Sequence, residues 1–338
     1  MSAILMAAGG RRLTYLRMSV TDRCNLRCRY CMPPEGVPKL SHEDILTYEE
    51  LLRLARLGSG LGLRKLRLTG GEPLVRRGLL DFIKSLGEAG LFQELCLTTN
   101  GLMLPEMAAD LKAAGIKGLN ISLDSLDPAL YAEMVGRPGR AGEELARRAW
   151  AGFQAALAAG FSTKINCVPI RGVNDGQVTA LARLALEYPV DVRFIEHMPI
   201  GRGDLWRRGA YLPTEELLAV VARDMGPLEA LPPGDPSAPA RLYRARGALG
   251  AIGFISPLSG HFCGHCNRLR LTADGKLKPC LLTDQEIDLR GPLRAGAGDE
   301  DLRALFLVAA GHKPVSHLEA RAEGAAPGYG REMSRIGG

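Results

Sequence analysis

The chain has no apolar run long enough to cross a membrane: its N-terminal apolar piece, residues 3–8, is far shorter than the roughly 20 residues a span requires. Positive charge follows that piece, at Arg11 and Arg12, instead of preceding it, which is the wrong order for an export signal. No membrane association is expected, and the cytoplasm is the expected location. A reducing compartment disfavours disulfides, so the eight cysteines are read as metal ligands or buried thiols. Low-complexity tracts are missing, as is any repeat beyond an alternation of strand-like and helix-like segments. A strong excess of one charge is missing too: 43 Lys and Arg stand against 37 Asp and Glu, a net charge of +6, and the basic residues are scattered among acidic ones. That balance gives no reason to expect nucleic acid as a partner. What is left, 338 residues of which 46% are hydrophobic and 24% charged, can bury a core large enough for one α/β barrel and an appended module.

Strand-like runs at 15–21, 65–69, 95–99, 118–123, 163–169 and 191–195 alternate with helical spacing at 47–57, 79–89, 105–114, 143–159 and 175–187. Six such β/α units predict a parallel sheet with helices outside it. The Pro- and Gly-rich stretch 226–240 breaks the pattern and reads as a linker; a smaller module follows, with a hairpin around Ala273-Asp274-Gly275 and a helix near 301–310. Buried parallel strands are usually apolar on both faces, whereas these alternate. Arg17, Ser19 and Thr21 oppose Leu16, Met18 and Val20; Lys65, Arg67 and Thr69 oppose Leu66 and Leu68. Asn120, Ser122 and Asp124 oppose Ile121 and Leu123, and Lys164 and Asn166 oppose Ile165 and Cys167. Helices would cover the apolar side and leave the polar side to line a cavity. Arg17, Lys65, Arg67, Lys164 and Arg193 share that side with few acidic residues. Burying unpartnered cations costs several kcal/mol each, so an anionic ligand such as a triphosphate is expected.

Cys24, Cys28 and Cys31 follow directly on the first strand, with no fourth cysteine nearby. Three thiolates on one tight loop can hold three corners of a cubane iron-sulfur cluster and leave one iron open, whereas structural zinc would want four protein ligands. The spacing C-x3-C-x2-C, with Tyr30 just before the last cysteine, resembles the signature of the radical S-adenosylmethionine (SAM) superfamily. A second triad, Cys263, Cys266 and Cys280, lies in the appended module beside Arg268 and Arg270, whose guanidinium groups project together if the segment is a strand. That spacing admits zinc, with His261 or His265 as fourth ligand, as well as a second open cluster. Cys96 and Cys167 stand alone and read as small buried hydrophobes; His42, His312 and His317 have no partners in sequence.

Longer stretches match one family almost end to end: 16–24, Thr69-Gly70-Gly71-Glu72-Pro73 with Arg67 before it, Thr98-Thr99-Asn100-Gly101, 120–126, 194–199, 262–272 and 333–338. On these the chain resembles the GTP 3′,8-cyclase family (molybdenum cofactor biosynthesis protein A). The segments before Arg11 and at 136–148 are variable ground and touch no motif. The resemblance implies an incomplete (β/α)6 TIM-type barrel over 11–225, the linker 226–240, and a smaller C-terminal α+β module over 241–338 closing the barrel mouth. It implies a 4Fe-4S cluster on Cys24, Cys28 and Cys31, with Tyr30, Gly71, Glu72, Ser122 and Met198 lining a SAM site, and a second 4Fe-4S cluster on Cys263, Cys266 and Cys280. GTP would be bound by Arg17, Lys65, Arg67, Thr98, Lys164, Arg193, Arg268, Leu269 and Arg270. Arg17, Arg268 and Arg270 would also act in catalysis, together with Gly337 and Gly338, a terminal pair that would otherwise read as frayed chain. A side chain at Gly70 or Gly71 would block close backbone approach to the ligand. The implied reaction takes GTP to 3′,8-cyclo-7,8-dihydro-GTP through a 5′-deoxyadenosyl radical, the first step of molybdopterin biosynthesis. Implied partners are an electron donor such as a flavodoxin or ferredoxin and the downstream cyclic pyranopterin monophosphate synthase; a homodimer is compatible with the sequence.

Overall fold

The computed structural model describes residues 4–200, 209–235, 237–316 and 331–337. Six strands, β1 (Tyr15–Ser19), β2 (Lys65–Thr69), β3 (Glu94–Thr99), β4 (Gly118–Ser122), β5 (Ser162–Cys167) and β6 (Asp191–Ile195), pair in chain order and in parallel. Each crossover carries helix: α1 (Tyr48–Gly60), α2 (Leu79–Glu88), α3 (Leu104–Ala113), then α4 (Pro128–Met134) with α5 (Arg140–Ala158), and α6 (Val178–Glu187). Local signals set these helices. A capping box opens α1, with Thr47 Oγ1 accepting from the Glu50 amide while the Glu50 carboxylate accepts from the Thr47 amide. Leu51, Leu54 and Ala55 of α1 are then buried in one contiguous core with Leu16, Met18, Leu66 and Leu68 from the apolar faces of β1 and β2.

The parallel sheet predicted from the alternation and the incomplete barrel implied by the resemblance are therefore present, and the C-terminal part of the chain extends them. Helix α7 (Thr214–Met225) leads into β7 (Leu228–Ala230), which falls within the stretch expected to be a linker, and then β8 (Ala240–Ala245) and β9 (Ala251–Ile255). Strands β10 (Arg268–Leu271), β11 (Lys276–Lys278) and β12 (Ile287–Asp288) follow, with α8 (Arg290–Arg294) and α9 (Asp299–Gly311). The sheet runs β12-β11-β10-β1-β2-β3-β4-β5-β6-β9-β8-β7, with β9 parallel to β6 and β10 parallel to β1. The second half of the chain thus adds a strand pair or more to each edge of the sheet, with β12 and β7 as the two ends of an open barrel. Register places Arg270 opposite Arg17, and Arg17 opposite Arg67. No helix among the described residues is long and apolar enough to cross a membrane.

Candidate active site

The polar strand faces enclose a cavity of about 940 Å³. Both cysteine triads line it, as do Arg17, Lys65, Arg67, Thr98, Lys164, Arg193, Arg268 and Arg270, and also Tyr30, Gly71, Glu72, Ser122 and Met198. Leu269 does not: it alternates with Arg268 and Arg270, so its side chain is fully buried on the opposite face, in the apolar core. Gly337 lies just behind the wall, and its carbonyl accepts from Arg17 Nη2 at 3.1 Å and Arg270 Nη1 at 3.4 Å. Gly338 and His317 lie outside the described residues.

Three arginines in one row, on adjacent strands, are like charges directly opposite each other, an arrangement that costs stability unless an anion is shared. Burial and the neighbouring arginines pull the Arg17 pKa down to about 10 and that of Arg270 down to about 9. The expectation that the cavity face holds few acidic residues needs correction. Glu94 pairs with Lys65, and Asp191 lies 2.8 Å from Arg193 and 4.0 Å from Lys164. Both carboxylates sit at strand starts on the same face as the cations, so the cation row Arg270, Arg17, Arg67, with Arg268, is what an anion would find. Thr98 Oγ1, Asn120 Oδ1 and Asn166 Oδ1, all on cavity-lining residues, are buried without a hydrogen-bond partner. Such groups are rare in folded proteins unless a ligand meets them.

Tyr15 was not singled out by sequence, although it shares parity with Arg17 two residues on. Its hydroxyl accepts from Arg67 Nε at 2.7 Å, and its ring lies 5.5 Å from Lys65 Nζ and 5.9 Å from the Arg268 guanidinium. Burial alone would raise its pKa, but Arg67, Arg17 and Arg268 together bring it down to about 8.

The first triad sits on a tight loop in which the amides of Cys31 and Met32 both donate to the Cys28 carbonyl. Amides of Arg27 and Arg29 donate to the carbonyls of Val135 and Met134 at the end of α4, which fixes the loop against the barrel wall. Burial pushes the Cys24 thiol up to about 11, Cys31 up to about 12, and Cys28 well above its usual range. Soft sulfur donors of this kind suit an iron-sulfur cluster, which binds thiolates and displaces their protons. Among the described residues no three of His, Cys, Asp and Glu converge in the manner of ligands to one metal ion; a cubane spreads its thiolates more widely. The glycine pair also meets a constraint from the protein itself. A Cβ on Gly70 would stand 2.7 Å from the Thr21 carbonyl oxygen, and one on Gly71 2.5 Å from that of Arg23. What a side chain would displace is the chain leading into Cys24. Glu72 accepts from the Thr99 hydroxyl at 2.8 Å and the Asn100 amide at 2.7 Å, and burial raises its pKa to about 7. Tyr30 donates to Asp124 at 2.9 Å, a carboxylate raised by burial to about 6 that also accepts from the Val168 amide.

In the second triad burial raises the Cys280 thiol, as in the first, and Cys266 differs. Burial works to raise the Cys266 thiol, yet the charges of Lys313 and Arg268 hold it down to about 7. Phe262 stacks under the Arg268 guanidinium at 5.0 Å, aiming it into the cavity. Tail residues Met333 and Ile336 pack with Met198, Cys280 and Leu281 around Ile200 and Leu282.

Residues 18–185 match the radical SAM superfamily, and residues 190–319 match a family described as Molybdenum Cofactor Synthesis C. Fold and cysteine loop together define a radical SAM enzyme. The GTP 3′,8-cyclase of Heliobacterium modesticaldum is 48% identical over 336 residues, covering 99% of this chain and 100% of that one, and the enzyme of Moorella thermoacetica is 49% identical over 308 residues, covering 91% and 93%. The chain belongs to the GTP 3′,8-cyclase family. Among solved structures, Streptococcus suis SuiB is similar in fold, with TM-score 0.55 and 15% identity over 83% of this chain and 61% of that one.

Proposed function

We propose that the chain converts GTP to 3′,8-cyclo-7,8-dihydro-GTP, the first step of molybdopterin biosynthesis. The observation that carries this reading is the meeting, in one cavity, of both cysteine triads with the arginine row of β10, β1 and β2. Cys24, Cys28 and Cys31 hold a 4Fe-4S cluster, with SAM lodged among Tyr30, Gly71, Glu72, Ser122 and Met198. When bound, that cluster supplies the electron that splits SAM to methionine and the 5′-deoxyadenosyl radical, which takes hydrogen from C3′ of GTP. Arg17, Arg67, Arg268 and Arg270 neutralise the triphosphate and Thr98 meets the nucleotide with its unpaired hydroxyl, while Lys164, Lys65 and Arg193, already balanced by Asp191 and Glu94, set the edge of the site. Cys263, Cys266 and Cys280, on the wall of the same cavity, would hold a second 4Fe-4S cluster whose open iron would be available to the guanine. The Gly337 carbonyl, which accepts from Arg17 and Arg270, supports a role for the tail beside these arginines, and Gly338 would extend it.

The wider reading follows from the family. An electron donor such as a flavodoxin or ferredoxin supplies the reductant, cyclic pyranopterin monophosphate synthase consumes the product, and the enzyme works in the cytoplasm, with a homodimer compatible. We keep the division into a barrel (11–225), connector (226–240) and C-terminal module (241–338) as a functional one, in which β9 and β10 of the module complete the barrel wall.

Anaerobic incubation with SAM, dithionite and a panel of nucleoside triphosphates tests the reading, with 5′-deoxyadenosine and a cyclised GTP product as the expected result. Arg17→Ala or Arg268→Ala should weaken GTP binding by roughly 1.5–3 kcal/mol, about the value of a charge-assisted hydrogen bond, and leave iron content unchanged. Equal calorimetric affinity for guanosine and GTP would remove the arginine row from the argument.

A further inference from the structure

Lys313, which follows α9, is 3% exposed and lines the cavity. Its ammonium donates to the Arg268 carbonyl at 2.8 Å and to the Pro279 carbonyl at 2.7 Å. Those two carbonyls belong to the two arms that carry the second triad, since Arg268 lies two residues after Cys266 and Pro279 immediately precedes Cys280. An ammonium has three donors, and the third faces the Cys266 sulfur. Arg11 completes the arrangement from the other end of the chain. It donates to the Cys263 carbonyl at 2.6 Å and to the Pro314 carbonyl at 2.7 Å, tying the remaining cysteine to the segment that holds Lys313. Neutral carbonyls alone do not offset the cost of burying an ammonium, which calls for an anion close by. Among the described residues no carboxylate pairs with Lys313, and the groups that can carry negative charge beside it are the thiols of Cys266 and Cys280.

We propose that Lys313 is a positioning residue for the second triad: it clamps both cysteine-bearing arms and places a fixed positive charge beside the thiolates, so that the group they hold is retained and is more easily reduced. This rests on the reading that the triad holds a 4Fe-4S cluster. A nearby cation and an N–H donor to sulfur both favour the more negatively charged, reduced state and raise the potential of a cluster. In the first triad the charges acting on Cys31 are those of Cys24, Glu332 and Asp124, all negative, and at Cys24 the Arg27 guanidinium works against the negative charge of Glu72. The two clusters should therefore differ in potential, with Lys313 responsible for part of the difference.

The test is a dithionite redox titration of the anaerobic holoenzyme followed by electron paramagnetic resonance, with iron counting and the rate of iron loss to a chelator. In Lys313→Met the second cluster should titrate at a more negative potential and lose iron several-fold faster, while the first cluster keeps its midpoint and its SAM-induced spectral change. Lys313→Arg should restore both. If Lys313→Met does not fold, Lys313→Gln, which keeps N–H donors and removes the charge, must show the same negative shift. Unchanged midpoints and iron retention in a protein that carries eight irons would overturn this inference alone. A parent protein with four irons and one zinc would overturn both it and the two-cluster reading.

Discussion

Tyr15 shows how much one side chain can report about the cavity. Its phenol stands among Arg67, Arg17 and Arg268, and their charge brings its pKa to about 8 despite burial. An anion bound to the same arginines takes over their field, so the tyrosine should lose its stabilised phenolate. We expect tyrosinate absorbance in the nucleotide-free protein to show a step near pH 8 that is absent in Tyr15→Phe and moves to higher pH when GTP is added. A step that ignores GTP would mean that the triphosphate binds elsewhere. The substitution itself leaves Arg67 Nε buried without its 2.7 Å partner, a loss of about 1–3 kcal/mol in stability, readable from chemical denaturation.

At the scale of elements, the turn after β2 does more than connect. Gly70 and Gly71 press against the backbone of residues 21–23, and the Gly71 and Glu72 amides donate to the carbonyls of Thr21 and Arg23 at 2.8 Å. The β2 turn is thus the floor on which the first cysteine loop is built. Gly71→Ala should push that loop away and lower the iron retained at Cys24, Cys28 and Cys31, with the second triad unaffected; iron analysis combined with SAM binding checks this, and full retention of both would refute it. The glycines were visible in the sequence, but this backbone contact was not, because it depends on how two parallel strands end side by side. The cysteine triads were legible because their ligands lie within one loop, and the arginine row because period-two alternation marks a strand face. Asp124 and Lys313 gave little signal, since their partners Tyr30 and Arg268 lie 94 and 45 positions away. Glu94 and Asp191 shared the face parity of the cations and could have been found by the same alternation.

Across the whole molecule, distant segments are tied at the cavity by charged straps. Arg331 reaches Asp274 at 3.0 and 2.9 Å and Glu286 at 2.7 Å, and Glu286 in turn meets Lys278 at 3.1 Å. These contacts fix the tail to the β10–β11 hairpin just before Met333 and Ile336 pack into their apolar cluster and Gly337 meets Arg17. Arg331→Ala should loosen the tail, and limited proteolysis should then cut after Arg335 faster than in the parent, with the iron content and fold of the barrel retained. Equal cutting rates would show that apolar packing holds the tail without the strap.

The pairing of β10 with β1 has a consequence for how the protein is made. When β1 to β6 have left the ribosome, the outer edges of β1 and β6 still lack the neighbours that complete them, because β9 and β10 are encoded much later. Two parallel edges with unpaired amides and carbonyls are then open to association with other chains. The first cysteine loop hangs from one of those edges. A nascent chain therefore has to keep its iron-binding loop and its stickiest edge together, and shielded, until more than two hundred residues of β1's final neighbour and intervening chain have been synthesised.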